Sequence, residues 1–299
     1  MGMFSRCKSS WMSIDRLTQL ISLERAPNAS ALPISERIQA LTRELAESGD
    51  ASLIEPVELE LGRCTDSTDA NCRDHLADIL VAISKTAALP ALLRASAADL
   101  GDDQDSLHGT LASLLEQNFQ TSRTEVLKVL GSAGEDVALQ AAALWALGFV
   151  LETSDVSALL PTLKNEDFRV RANAAGALGT LGPIPGEIDV DLVHSLGALV
   201  KDARPEVRCA AVISLSFLEQ PAGLPYVLTL VNDPNPQVRS WMGLSLRVLG
   251  DSTHAALVEQ LLGKRRGGMP AAVGWTPACA RWMLIGLPPR FDIAGNENA

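Results

Sequence analysis

The stretch Asn165 to Gly182, NEDFRVRANAAGALGTLG, decides the fold because it returns twice. The second copy is KDARPEVRCAAVISLSFLE, Lys201 to Glu219, and the third is NDPNPQVRSWMGLSLRVLG, Asn232 to Gly250. Each has a polar turn, a Val-Arg pair (Val170-Arg171, Val207-Arg208, Val238-Arg239) and a small-residue segment ending in Leu. Repetition at a fixed period is read before any single element, because it sets the whole architecture.

Aligned on the Val of each pair, apolar residues recur at offsets 0, +4, +8 and +11: Val170, Ala174, Leu178, Leu181; Val207, Ala211, Leu215, Leu218; Val238, Met242, Leu246, Leu249. That spacing is one face of an α-helix. Upstream, Leu159 and Leu163, Leu196 and Val200, and Val227 and Val231 recur at −11 and −7 and belong to a preceding helix. Each unit is therefore helix A, a tight turn and helix B. The turns agree: Asp233-Pro234-Asn235-Pro236 cannot continue a helix, and Pro205 sits at a first helical position.

Weaker copies extend the array. Cys72 carries Arg73, Leu76, Leu80 and Ile83; Leu107 carries His108, Leu111 and Leu115; Leu139 carries Gln140, Ala143, Leu147 and Val150. The anchors lie about 31 to 37 residues apart, the spacing of helical repeats. A seventh unit is expected at the end, with helix A near 255–262 and helix B near 277–287. The copies at Val170, Val207 and Val238 resemble the HEAT-like repeat family, in the short form also found in phycobilisome lyase subunits. The resemblance implies an all-α, right-handed α-α superhelix. It implies most often a scaffold, adaptor or chaperone-like role; a minority of such proteins are enzymes, among them bilin lyases and DNA-alkylation glycosylases.

The expected layout is a disordered N-terminus over 1–11, a helical cap over 12–48, a solenoid of about seven helix pairs over 49–289 and a disordered tail over 290–299. Ser122-Arg-Thr-Glu125 reads as a capping box opening a helix A. The acidic run 101–105 lacks calcium-loop spacing and reads as charge favouring a helix N-terminus, so no metal is expected. Nor does any motif imply a cofactor.

Net charge is −11 over 299 residues. That disfavours nucleic acid, whose phosphates need a basic track, and anionic membrane surfaces on the same ground. No run reads as a membrane-spanning helix or a signal peptide core. An N-terminal Met-Gly is followed by Arg6 where myristoylation would want Ser or Thr. Five cysteines lack zinc-knuckle spacing and read as reduced thiols of a cytoplasmic protein.

Two sets of residues stand out from the repeat. Arg171, Arg208 and Arg239 form a column opposed at −5 by Asn165, Asp202 and Asp233; stacking would join the columns into a structural ladder, the other reading being an anion site. On the B helices, His75, Asn173 and Trp241 share offset +3, and Asp78 and Trp145 share +6. These five, with the loop residues Lys264, Arg265, Arg266 and Trp275, are the candidate partner-binding set, on the concave face that solenoids use for binding. The plainer reading has each Trp filling a gap between layers. No nucleophile–base–orienter set, P-loop or H-E-x-x-H occurs, so no catalytic residue is assigned. The leading expectation is a non-catalytic scaffold or adaptor that grips a protein or peptide segment. The alternative is a lyase-like or other small-molecule- or peptide-modifying enzyme, or its chaperone subunit, with His75, Asp78, Trp145 and Trp241 converging on one pocket.

Overall fold

The structure, a computed structural model, describes residues 2–65, 67–98, 105–183 and 190–262. Every regular element among them is helical. The fold is all-α and built from stacked helix pairs, the plan of a solenoid. The chain divides into two compact units, residues 1–133 and 134–299.

In the first unit, α1 (Gly2–Glu24) packs on α2 (Leu32–Ser48). Then α3 (Ile54–Leu61) packs on α4 (Ala70–Ser84), and α5 (Leu89–Ala97) packs on α6 (Asp105–Gln117) and α7 (Phe119–Ser132). Helices α2, α4 and α6 form one layer, and α3, α5 and α7 the other. Helix α1 includes residues 2–11, where disorder was expected. Helix α2 was expected only as a cap, yet it packs on α4 as the B helices do on one another. Its Ile34, Ile38, Thr42 and Leu45 stand at 0, +4, +8 and +11, and the last three are buried. The buried Thr42 hydroxyl donates to the Ile38 carbonyl at 3.0 Å, so a polar residue at a core offset leaves no orphan group.

The expected capping box at Ser122 does not form. Helix α7 starts three residues earlier, and Ser122, fully buried, donates to the Leu114 carbonyl at 3.4 Å. Within residues 67–97 one 18-residue run is apolar and long enough to cross a membrane by length and composition alone, where the sequence reading expected none. The fold divides that stretch between α4 and α5 at Lys85, whose φ is +53°, and buries half of it.

In the second unit, α8 (Val137–Val150), α10 (Phe168–Gly179), α12 (Pro205–Phe217) and α14 (Pro236–Leu249) stack side by side as the B layer. The A layer holds α9 (Val156–Leu159) with the 3₁₀ turn after it, α11 (Val190–Leu199), α13 (Leu224–Leu228) and α15 (Ala255–Leu262). Residues at offsets 0, +4 and +8 of α10, α12 and α14 are all at most 2% exposed. Burying each large apolar side chain there contributes roughly 1.5–3 kcal/mol. The B helices approach closely: a Cβ on Gly179 would lie 2.8 Å from the Ser214 Cα. Such proximity lets Ser214 donate to the Ala175 carbonyl at 2.7 Å, and Ser245 to the Val212 carbonyl at 3.1 Å. Both serines stand at offset +7 and both carbonyls at +5 of the preceding unit.

Candidate functional site

The turns of the second unit carry its densest polar geometry. Each −5 residue turns back on its own loop: Asn165, Asp202 and Asp233 each accept from the backbone N–H two residues on, at 2.9 Å. Side-chain capping of α10 and α14 falls instead to the −3 residue, whereas Arg204 at that position of α12 makes no cap. Asp167 accepts from the Arg169 N–H at 2.8 Å, and Asn235 from those of Gln237 and Val238 at 2.8 and 3.2 Å.

With its turn so fixed, each −5 acid faces the arginine of the unit before it. Arg171 forks onto Asp202, Nε at 2.7 Å and Nη2 at 2.9 Å. Arg208 forks onto Asp233 with the same two distances. The remaining nitrogen, Nη1, reaches back to its own turn, to the carbonyls of Asn165 and Glu166 from Arg171 and of Asp202 and Ala203 from Arg208. Asp202 is thus the partner of Arg171, and it meets Arg208 through its carbonyl alone. Asp233 raises the already high pKa of Arg208 by hydrogen bonding, against the opposing effect of burial. One step earlier, Asn165 donates to the Gln140 side chain at 3.4 Å, a neutral rung at the same offsets. Arg204 adds a cation–π contact, 4.1 Å above the Phe168 ring.

The +3 row reads differently helix by helix. Asn173 is half-buried and donates to the Arg169 carbonyl of its own helix at 2.9 Å. Trp241 is half-buried on α14. Between their helices lies α12, whose +3 residue is the small, buried Ala210. Asn173 and Trp241 are therefore separated by one unit. At +6, Trp145 is only 9% exposed and packs edge-on to Phe149 at 5.0 Å between centroids. It fills the interior of α8, and α10 and α12 lie between α8 and α14, so Trp145 and Trp241 do not converge. Lys264, Arg265, Arg266 and Trp275 lie outside the described residues, as do the expected last B helix and most of the acidic run 101–105.

In the first unit, His75 sits half-buried on α4 with Nε2 3.1 Å from Glu24 Oε1 at the end of α1. Burial raises the Glu24 pKa, and His75 partly counters it. Asp78 is exposed and accepts from Thr110 at 3.1 Å. Near Glu24 lie two buried thiols that sequence spacing did not join, Cys64 and Cys72. Their mutual hydrogen bond lowers the Cys64 pKa and raises that of Cys72, which burial raises further. Glu24 ends α1, Cys64 lies in the loop after α3 and Cys72 is on α4, and no local pattern announces their meeting. Among the described residues, no three His, Cys, Asp or Glu side chains are grouped to hold a metal ion.

Comparison with known proteins bears on the repeat. A family model described as HEAT repeats matches residues 192–269. Residues 192–269 carry HEAT repeats. That match spans the HEAT units anchored on Val207 and Val238, with their forked arginine and aspartate. No curated protein matches the chain in sequence. Among solved structures, the Escherichia coli protein YibA is 17% identical over 90% of this chain and 96% of its own, with a TM-score of 0.48. Human deoxyhypusine hydroxylase, solved in complex with glycerol, is 15% identical over 79% of this chain and 98% of its own, with a TM-score of 0.36.

Proposed function

We propose that the chain is a non-catalytic binding module, a cytoplasmic scaffold or adaptor that holds a protein or peptide segment against the B layer of its second unit. The observation that carries this reading is the +3 row, in which the larger side chains of Asn173 and Trp241 flank the small Ala210. A half-exposed Trp beside a small residue offers an apolar contact with a polar neighbour, the composition of a binding hot spot. The ladder of turns beneath supports it by holding α10, α12 and α14 in fixed register. Ordering costs on binding would then fall mainly on the partner.

Trp241→Ala is the discriminating variant. Acrylamide quenching should reach Trp241 in the free protein, read as the difference between the parent and Trp241→Phe. A partner captured by the parent should bind Trp241→Ala at least about tenfold more weakly, the loss typical of a hot-spot residue. A shielded Trp241 in the free protein, together with unchanged partner affinity for Trp241→Ala, would remove this surface from consideration.

A further inference from the structure

Among the described residues, the last rung of the arginine ladder is built like the others on one side only. Arg239 is half-buried, and its Nη1 donates to the carbonyls of Asp233 and Pro234, at 2.6 and 3.1 Å, as Arg171 and Arg208 do in their own turns. In those two units the Nε and Nη2 edge is filled by the next unit's aspartate. Among the described residues no carboxylate meets that edge of Arg239.

The sequence at the next expected rung lacks the acid. The aspartate comes 31 residues after Arg171 and 25 residues after Arg208. The same spans counted from Arg239 reach Lys264 and Pro270, and that stretch reads KRRGGMP. It contains three cations and no acid. Between Glu259 and Asp292 the chain has no carboxylate side chain at all.

We propose that the Nε and Nη2 edge of Arg239 is a carboxylate-binding position, filled by an aspartate in a helix-initiating turn of a partner polypeptide. The occupant follows from the filled rungs, where a planar guanidinium fork takes both oxygens of one Asp whose turn opens a helix. The fork is pre-ordered, because two backbone carbonyls already hold its Nη1. The inference rests on the binding-module reading for the existence of a partner, and it specifies that partner's chemistry.

The test uses the full-length protein and a fluorescein-labelled synthetic peptide with the sequence of residues 199–217, which offers the Asp202 turn and the helix after it. Fluorescence polarisation should show this peptide binding about fivefold or more tightly than its Asp202→Asn version, the margin expected of a half-buried fork. That comparison needs no protein variant and so does not depend on a variant's folding. Arg239→Gln should abolish the difference, and Arg239→Lys should retain only a small part of it. Equal binding of the two peptides, or no binding of either at millimolar protein, overturns the proposal. So does tighter peptide binding by the Asp292→Asn, Glu297→Gln double variant, which would mean that the chain's own tail fills the rung. None of these results touches the Asn173–Trp241 row, which Trp241→Ala tests separately; residues two apart on a helix do not share a face.

Discussion

Truncating Arg208 to alanine removes a charge from a nearly closed site. The fork on Asp233 is lost at 2.7 and 2.9 Å, and so are two bonds to the carbonyls of Asp202 and Ala203 at 2.9 and 3.2 Å. Asp233 then keeps the Asn235 N–H, a single donor for a carboxylate only 5% exposed. Breaking a buried pair costs about 3–5 kcal/mol, mostly because a charge is left unpaired. Arg208 is 10% exposed, so water can enter and the lower end applies, about 3 kcal/mol. For Arg171, where the pair is 16% and 9% exposed, the same reasoning gives about 2 kcal/mol. Among the described residues Arg239 bonds to neutral carbonyls alone, so its loss should cost about 1 kcal/mol. Thermal unfolding followed by circular dichroism should therefore rank Arg208→Ala, Arg171→Ala and Arg239→Ala in that order. The first should lie roughly 6–12 °C below the parent. Adding Asp233→Asn to Arg208→Ala should recover part of the loss, since no bare carboxylate remains. Equal melting temperatures for Arg208→Ala and Arg239→Ala would refute the reasoning.

Gly179→Ala should destabilise by about 1–3 kcal/mol in urea unfolding, because its methyl would press on the Ser214 backbone 2.8 Å away and break the Ser214–Ala175 bond. A neutral result would mean that the B helices are farther apart than described. Burial pushes the Cys209 thiol up to about 12, so it should resist iodoacetamide at pH 8 in the native protein and react once urea unfolds it; fast native alkylation would contradict its position in α12. Burial also raises the Glu24 carboxyl above its usual range, so the folded state binds a proton more readily than the unfolded chain there. Stability of the parent relative to Glu24→Gln should rise as pH falls from neutrality through that raised value and level off below 4.5, and parallel pH profiles for the two proteins would count against it.

The second unit was legible in the sequence because its copies repeat the chemistry as well as the period. Val170, Val207 and Val238 each precede an arginine, and Asp202 and Asp233 recur at one offset, so the columns could be aligned before any helix was placed. The register of the rungs was harder. Whether an arginine meets the acid of its own turn or of the next depends on the step between stacked helices, and one chain's sequence carries no record of that step. Helix α2 escaped recognition as a repeat for a local reason: Thr42 occupies a core offset and Ser35 stands where an arginine would mark the anchor. The Cys64–Cys72 contact escaped because it joins a loop residue to a helix, with no periodicity shared between them. Offset +3 shows the limit most clearly. Periodicity predicts one exposure for a whole row, but exposure is set by the neighbouring side chains. Asn173 and Trp241 stay half-exposed while Ala210 at the same offset is 3% exposed. A methyl group cannot reach past its neighbours, so residue size decides where a continuous row becomes a surface with relief. On the proposed surface, the small Ala210 would leave room for a partner between Asn173 and Trp241. For that reason, enlarging Ala210 should weaken partner binding on the proposed surface even where the fold tolerates it.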